Sequence, residues 1–239
     1  SYYDSIVAYC ALGYDMIYAP GNQYTDAVLQ AAEEYPDVQF VAMTGDTARA
    51  NGLDNFHNAF TGIYQARYVG GVVAGMKLQQ LIDEGKVEDK NKTADGKIKI
   101  GYVGAYPYAE VVSGYTAFFL GLQSIVPDVA MQVQYTNSWF NITAENEAAK
   151  ALIADGCIIV SQHADSMGAP TACENAGIPN VSYNGSTITA GPNTYIISSR
   201  IDWAPYYEYA IKAAMNGEAI DADWTGTLAT GSVVLTDLN

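Results

Sequence analysis

Residues 98–125, IKIGYVGAYPYAEVVSGYTAFFLGLQSI, decide the fold of this chain. The opening run IKIGYVG alternates and carries β-branched residues, which predicts a buried strand. A turn with the aromatic residues Tyr106 and Tyr108 follows, and a helix is predicted directly after it, with Glu110 near the positive helix N-terminus. Apolar residues then recur at helical spacing, so this helix must pack on a sheet. The stretch is a βα unit of a parallel sheet, where ligands bind at the carboxyl ends of strands, here at residues 105–110.

Strand and helix patterns alternate along the whole chain. Strands are predicted at residues 14–19, 38–44, 55–61, 98–104, 131–136, 157–162, 180–183, 195–199 and 232–235. Helices are predicted at residues 2–12, 24–35, 63–83, 143–155 and 205–216, besides the one that follows Tyr108 and a short one that ends at Ala176. Strands that alternate with helices of about a dozen residues predict an α/β fold with parallel sheets.

One segment, 84–97 (EGKVEDKNKTADGK), differs in composition from the rest of the chain. It is polar and bounded by glycine, which predicts a solvated linker between two lobes. The predicted first lobe is 1–97 with 200–220, the second is 98–199, and the tail 221–239 crosses the hinge. Two such lobes predict a ligand cleft between them.

The beginning of the chain is unusual for this fold class. Residues 2–12 form an amphipathic helix with no cap in view and no strand before it. Because an α/β domain normally begins with its central strand, we expect the first βαβ unit of the first lobe to belong to a longer parent chain, together with any targeting signal.

Charge and apolar patterning exclude several classes of partner. The chain carries 26 acidic and 11 basic residues, and the resulting net charge of −15 repels phosphate backbones, so we expect no nucleic-acid polymer as a partner. An uncharged or cationic small ligand remains compatible. No apolar run reaches the length of about 18 residues that spans a bilayer. The three cysteines are odd in number, which favours buried free thiols over disulfides.

Polar and aromatic residues gather where the predicted strands of the second lobe end. The four clusters are Tyr106-Pro107-Tyr108, Asn137-Ser138-Trp139-Phe140, His163-Ala164-Asp165-Ser166 and Tyr183-Asn184-Gly185-Ser186. Because carboxyl ends of parallel strands share one edge of a sheet, these clusters converge on one rim. Each alone has a structural alternative: Trp139 as a core residue, Asp165 as a helix cap and Asn184 as part of a simple turn. Together they predict a ligand-binding rim.

Catalytic motifs are absent from the sequence. It contains two histidines and no motif of a metalloprotease, serine hydrolase, redox dithiol or phosphate-binding loop. Cys157 and His163 could pair as nucleophile and base, but Cys157 begins an apolar strand and should be buried and inert. We therefore predict no enzyme, no catalytic residue, no metal site and no cofactor.

Several segments resemble the basic membrane lipoprotein family, the purine-nucleoside-binding proteins of bacterial ABC transporters. They are GYDMIYAPGNQYTDAVLQAAEEYPDVQF, IYQARYVGGVVAG, IGYVGAYPYAEVVSGYTAFFLG, TNSWFNITAENEAAKALIADG, QHADS and WAPYY, in the family's order. The resemblance implies a type I periplasmic-binding fold with two α/β lobes, a hinge and a ligand in the cleft. It also implies a monomeric extracytoplasmic protein that delivers its ligand to an ABC transporter permease, held at the membrane through a lipid anchor that is absent from this chain.

The expected ligand is a purine nucleoside or related base, which needs flat aromatic faces and edge-directed polar groups. The candidate ligand-binding residues are Asn22, Tyr24, Phe56, Tyr108, Trp139, Asp165, Ser166, Asn184, Arg200 and Trp203. Within this set, Asn184 stands where the family has an Asp, and Arg200 stands where its pattern is basic.

Three other functions stay open at this point. An effector-sensing domain of a transcription regulator reuses the same two-lobed fold, and a binding protein for a sugar or another small polar solute would share the rim. A nucleoside-hydrolysing enzyme is disfavoured because no acidic residues cluster at one strand end.

Overall fold

The computed structural model of the protein describes all residues from Ser1 to Asn239. The helices are α1 (Tyr2–Ala11), α2 (Thr25–Glu34), α3 (Ala48–Asn51), α4 (Tyr64–Asp83), α5 (Ala109–Gln123), α6 (Ile142–Ala154), α7 (Gly168–Ala176) and α8 (Ala204–Asn216). The strands are β1 (Met16–Ala19), β2 (Gln39–Met43), β3 (Phe56–Thr61), β4 (Ile98–Gly104), β5 (Val129–Tyr135), β6 (Val160–His163), β7 (Asn180–Tyr183), β8 (Tyr195–Ile201), β9 (Asp223–Gly226) and β10 (Val233–Leu235). The predicted α/β class with parallel sheets is confirmed.

The chain divides into two compact units. Unit 1 comprises Ser1–Gly62 and Asp202–Ser232, and unit 2 comprises Ile63–Ile201 and Val233–Asn239. None of the eight helices combines the length and the apolar character that crossing a membrane requires.

Unit 1 contains a four-stranded sheet in the order β1-β2-β3-β9, with every neighbouring pair parallel. Successive residues of a strand point to opposite faces, and both faces are covered here. Phe40 of β2 packs with α1 and α2 on one face, whereas its neighbour Val41 packs with α8 on the other. Helix α1 begins at a cap, contrary to the prediction, because Ser1 accepts a hydrogen bond from the backbone N–H of Asp4.

Unit 2 contains a six-stranded sheet in the order β10-β8-β7-β6-β4-β5, in which only β10 is antiparallel to its neighbour. Helices α4 and α5 cover the face that carries Ile100 and Tyr102. Helices α6 and α7 cover the face that carries Val103 and Val160. Gly71 of α4 lies against α5, where a Cβ atom would collide with backbone, so the two helices approach closely only because glycine stands there.

The boundary between the units differs from the predicted one. Helix α4 and the polar segment 84–97 lie inside unit 2, and residues 221–232 lie inside unit 1. The reason is packing: α4 covers the sheet of unit 2, and β9 pairs with β3 of unit 1. The polar segment is tied down by Asn91, whose buried side chain donates to the carbonyl oxygen of Gly156 at 2.9 Å. Its composition therefore marks a surface loop of unit 2.

Candidate ligand-binding site

The sheet of unit 2 places the four predicted clusters at one edge. Strands β4, β5, β6 and β7 are parallel, and Gly104 at the end of β4 pairs in register with Tyr135 and with His163. The loops that leave this edge cover residues 105–108, 136–141, 164–167 and 184–194. We call this edge the rim.

An aromatic wall runs along the rim. Tyr106 and Tyr108 stack in parallel with ring centroids 4.8 Å apart, and Tyr106 lies 5.8 Å from Trp139. Trp139 lies 6.3 Å from His163, which in turn lies 4.0 Å from Tyr183. These spacings are those of interacting aromatic pairs. Tyr106, Tyr108 and Trp139 are accessible to solvent, whereas His163 and Tyr183 are buried, so the first three rings are the ones that can meet a flat ligand.

Trp139 belongs to the rim and to no apolar core cluster of unit 2. Its side chain is half-buried, and its carbonyl oxygen accepts a hydrogen bond from the backbone N–H of Asp165 at 2.8 Å. Asn137, two residues earlier, has φ 54°, a left-handed conformation that asparagine tolerates better than most residues. This turn and the bond to the neighbouring loop hold the indole at the rim.

A buried carboxylate fixes two of the loops. Glu145 is fully buried and accepts hydrogen bonds from the backbone N–H groups of Asn141, at 3.0 Å, and of Ser166, at 3.2 Å. Burial raises the pKa of Glu145, and these hydrogen bonds oppose the shift. Ser166 is buried as well, and its hydroxyl accepts a hydrogen bond from the N–H of Gly168. Both residues therefore build the loop under the rim, and Ser166 does not offer its hydroxyl at the surface as predicted.

Asp165 and Asn184 meet at the rim as a polar pair. Asp165 is accessible to solvent, yet loss of water around its carboxyl group, followed by the charges of Glu145 and Glu110, raises its pKa to about 6. A hydrogen bond from the Asn184 side chain opposes this rise in pKa. Asn184 has φ 63°, so its backbone is left-handed where it follows β7. The alternative role of Asp165 as a helix cap does not hold, since Met167 precedes α7 without a side-chain cap.

Three rim residues, Glu110, His163 and Tyr183, form a cluster that the sequence did not reveal. One oxygen of Glu110, Oε1, accepts a hydrogen bond from the Tyr183 hydroxyl at 3.3 Å and lies 3.5 Å from Nε2 of His163. Neither ring nitrogen of the fully buried His163 makes a hydrogen bond. Burial lowers the pKa of His163, and Glu110 opposes this shift. The sequence places Glu110 in the predicted ligand-binding stretch 105–110 and near the helix N-terminus, but it does not predict the contacts of Glu110 with His163 and Tyr183.

The catalytic alternative for Cys157 and His163 finds no support in this geometry. Burial raises the pKa of Cys157 to about 12, so its thiol stays protonated. Its Sγ atom lies 3.8 Å from Oε1 of Gln132, and Cys157 packs in the core beneath α6 and α7. His163 faces the opposite side of the sheet, against Gly114 of α5.

The remaining predicted residues lie elsewhere. Phe56 is fully buried in the core between α1, α2 and the sheet of unit 1, so its ring offers no accessible face and the prediction for it is wrong. Tyr24 is half-buried and packs against Tyr2, with the ring centroids 4.4 Å apart and the rings tilted by 49°. Trp203 precedes α8 and packs against the core beneath that helix.

Two predicted residues are exposed and lie close to the ends of strands. Asn22 is exposed in the short 3-10 turn after β1. Arg200 is exposed on β8, one residue beyond Ser199, which pairs in register with Tyr183. Both remain predictions for ligand contact.

Comparison with known proteins identifies the family. The family model of the PnrA-like ABC transporter substrate-binding proteins matches residues 2–239. A putative ABC transporter glucose-binding protein of Haloferax volcanii is 33% identical over 222 residues, covering 92% of this chain and 51% of the relative. A purine-binding protein of Brucella abortus is 32% identical over 213 residues, covering 89% of this chain and 55% of the relative. The chain thus spans about half the length of these curated relatives.

Solved structures show the same fold. A solute-binding protein of an ABC transporter system from Conexibacter woesei has a TM-score of 0.74 at 22% identity, over 100% of this chain and 74% of that one. A transcriptional activator of the comK gene from Bacillus halodurans has a TM-score of 0.77 at 18% identity, over 99% of this chain and 75% of that one. The fold is therefore shared by binding proteins and regulators. The family model shows the family: this chain belongs to the PnrA-like family of ABC transporter substrate-binding proteins.

Proposed function

We propose that this chain is the ligand-recognising part of an extracytoplasmic solute-binding protein of an ABC importer, and that its ligand is a purine nucleoside or purine base. The single observation that carries the proposal is the aromatic wall at the rim with carboxylates beside it. Tyr106 and Trp139 provide ring faces, and Glu110 and Asp165 provide acceptors within the same cluster of loops.

A purine matches both parts of this surface. Its flat ring gains about 0.5–1.5 kcal/mol from each aromatic pair beyond the burial of area. Its N–H groups, or the hydroxyls of an attached ribose, donate to carboxylates, and such charge-assisted hydrogen bonds contribute about 1.5–3 kcal/mol each. The purine-binding relative from Brucella abortus supports this ligand class.

A sugar is the second candidate ligand. The Haloferax volcanii relative, whose printed name is a glucose-binding protein, matches the chain at a similar identity. Sugar hydroxyls can donate to the same carboxylates, but a sugar has no π-system to stack on Trp139. The two ligand classes therefore differ in how strongly their binding depends on this ring.

The site binds and releases its ligand without chemistry in this proposal. Within unit 2, the thiol of Cys157 lies in the core between the sheet and helices α6 and α7. Its pKa, raised to about 12, leaves it unreactive. The expected partner is an ABC transporter permease, with the protein acting as a monomer and held at the membrane by a lipid anchor. A regulator related at 22% identity, the transcriptional activator med of Bacillus subtilis, makes effector sensing a more distant alternative.

Isothermal titration calorimetry tests the ligand class. Adenine, guanine, hypoxanthine, their nucleosides, uridine, glucose, ribose and a set of amino acids are titrated into the protein under the same conditions. We expect saturable heat with purines and none with amino acids. Heat from glucose or ribose alone would replace the purine proposal by the sugar one.

A further inference from the structure

The carboxyl group of Glu110 has one oxygen engaged and one oxygen open. Its Oε1 atom accepts a hydrogen bond from the Tyr183 hydroxyl at 3.3 Å and lies 3.5 Å from Nε2 of His163. No group of the chain donates a hydrogen bond to the other oxygen, Oε2. The Glu110 side chain keeps 16% of its surface exposed, and Oε2 is not a buried atom. Oε2 is therefore the part of this carboxyl group that can meet a ligand.

The structure beneath Glu110 holds this acceptor in place. Arg67 of α4 is fully buried and donates to the carbonyl oxygen of Ser182, the residue before Tyr183 on β7, at 2.9 Å. It also donates to the hydroxyl of Tyr102 on β4 at 2.9 Å, and β4 leads through the loop 105–108 into the helix that carries Glu110. The strand that positions the Tyr183 hydroxyl and the strand that leads to Glu110 thus share one support. A preorganised acceptor of this kind loses little freedom when a ligand binds.

Glu110 and Asp165 lie at different depths beside the aromatic wall. The ring of His163, which approaches Glu110, is fully buried and lies 6.3 Å from the ring of Trp139. Asp165 follows His163 in the chain, is exposed to solvent, and its backbone N–H donates to the carbonyl oxygen of Trp139 at 2.8 Å. A ligand stacked on Trp139 therefore has a recessed carboxylate on its inner side and an exposed carboxylate on its outer side.

Three other polar side chains of the rim loops use their donor groups within the loops. The hydroxyl of Thr136 donates to the carbonyl oxygen of Ser138 at 2.9 Å, and the hydroxyl of Ser138 donates to that of Phe140 at 3.2 Å. The side chain of Asn184 donates to Asp165. The two carboxylates, by contrast, present oxygens that only accept hydrogen bonds. Beside the wall, the recessed polar group is thus an acceptor that calls for a donor on the ligand.

Purines differ in the donors and acceptors along the edge of the ring. Guanine and hypoxanthine carry a donor at N1, and guanine adds the neighbouring 2-amino group. In adenine N1 is an acceptor, and the 6-amino group is flanked by two acceptors, N1 and N7. A carboxylate has no proton to offer these atoms, so each way of bonding the amino group brings a ring lone pair towards a carboxylate oxygen. An N1–H group meets the carboxylate without such a conflict.

We propose that Glu110 is the specificity-determining residue of the site and selects purines that carry an N1–H donor, those of the guanine and hypoxanthine type, over adenine. This inference rests on the proposed purine ligand. Oε2 of Glu110 accepts from N1–H of the base stacked on Trp139, and the exposed Asp165 accepts from the hydroxyls of an attached ribose. A hydrogen bond to a charged acceptor is roughly twice as strong as a neutral one, so the recessed carboxylate contributes most to the choice of base.

Calorimetric titration of wild type with guanosine, inosine, adenosine and 1-methylinosine tests the choice. Nucleosides are used because their N9 atom is blocked, so the donors of the base differ only along the edge that Glu110 meets. We expect guanosine and inosine to bind at least tenfold more tightly than adenosine. We expect 1-methylinosine, which lacks only the N1–H donor, to bind at least tenfold more weakly than inosine.

Glu110→Gln replaces one acceptor oxygen by an amide that donates. The new side chain pairs with adenine, because its oxygen accepts from the 6-amino group while its nitrogen donates to a neighbouring ring nitrogen. We expect the ratio of guanosine affinity to adenosine affinity to fall at least tenfold, with adenosine bound more tightly than by wild type. Purely structural damage would weaken both nucleosides alike and keep the ratio.

The matched control is Glu147→Gln on α6, which changes the net charge equally but alters a side chain that is 66% exposed and pairs with Lys150. It should keep the wild-type ratio. If Glu110→Gln does not fold, the wild-type titrations still decide, because adenosine bound as tightly as inosine overturns the inference. That result leaves the purine proposal intact, as does an unchanged ratio in folded Glu110→Gln. A wild type that binds none of the four nucleosides and no purine base refutes the proposed ligand, and the role of Glu110 with it.

Discussion

Replacement of Trp139 by alanine separates a ligand contact from a structural role. A tryptophan ring buries about 150–250 Å² in all, and a ligand that covers one face removes about a third of this area from water. At about 25 cal/mol/Å² that area contributes about 1.5 kcal/mol. Stacking adds about 0.5–1.5 kcal/mol, so Trp139→Ala should weaken purine binding by about 2–3 kcal/mol, or about 30- to 150-fold.

The cost to stability should be smaller. In the free protein the ring of Trp139 contacts Tyr106 and His163 at centroid distances of 5.8 Å and 6.3 Å and belongs to no core cluster. Loss of these contacts is worth about 1 kcal/mol, which corresponds to a Tm lower by about 2–4 °C in a chain of this size. Affinity should therefore change far more than stability.

Calorimetry with the best purine and thermal unfolding without ligand measure the two quantities. Met76→Ala is the matched control, because Met76 lies on α4 outside the rim and is 61% exposed. This control should keep both affinity and Tm. A Trp139→Ala protein whose Tm falls by more than about 10 °C while the folded fraction binds as wild type would refute the ligand contact.

Three further predictions concern the support of the rim. Glu145→Ala leaves the buried N–H group of Ser166 without its acceptor, at about 1–3 kcal/mol, so the Tm should fall by about 2–12 °C in thermal unfolding. An unchanged Tm would show that water replaces the carboxylate. Asp165 has its folded-state pKa raised to about 6, so between about pH 4 and pH 6 the folded state binds more protons than the unfolded state and loses stability as pH rises. Asp165→Asn should therefore raise the Tm at pH 7.5 and lose that advantage near pH 4. Parallel Tm profiles of the variant and wild type against pH would contradict this expectation. Gly114→Ala puts a Cβ atom 2.5 Å from Nδ1 of His163, so it should lower the stability by about 1–3 kcal/mol and weaken purine binding. Gly70→Ala, where the nearest atom would be 3.4 Å away, should do neither. Equal effects of both substitutions would rule out displacement of the His163 ring as the cause.

The sequence predicts the fold class and the location of the rim because both follow from short-range patterns. Alternation at period two marks the strands, and helical spacing between them implies parallel pairing. Parallel pairing then places the residue after every strand at one edge, which is why Trp139, Asp165 and Asn184 come together as expected.

The support of the site depends on packing that short-range patterns do not encode. In the sequence, Arg67 is a polar position of a predicted helix. It becomes buried only because α4 packs on the sheet, where it contacts strand residues up to 132 positions away in the sequence. Glu110 and Tyr183 are 73 positions apart and meet through the placement of α5. Phe56 was a wrong candidate because β3 is buried on both faces. In such a strand the sequence pattern does not distinguish an aromatic residue of the core from one that contacts a ligand.

The boundary between the two units also depends on packing that short-range sequence patterns do not encode. Composition singled out residues 84–97, but a polar surface segment within one unit has the same composition as a linker between two. Contacts alone distinguish them, such as the bond from Asn91 to the carbonyl oxygen of Gly156.

Fluorescence of a protein with Trp139 as its single tryptophan tests the central claim most directly. The other two tryptophans, Trp203 and Trp224, are partly buried against the core beneath α8 of unit 1 and can be replaced together by phenylalanine. We expect a purine that gives saturable heat in calorimetry to change the emission of Trp139 with the same dissociation constant. A purine that binds by calorimetry and leaves this emission unchanged would contradict a ligand site at the rim of unit 2.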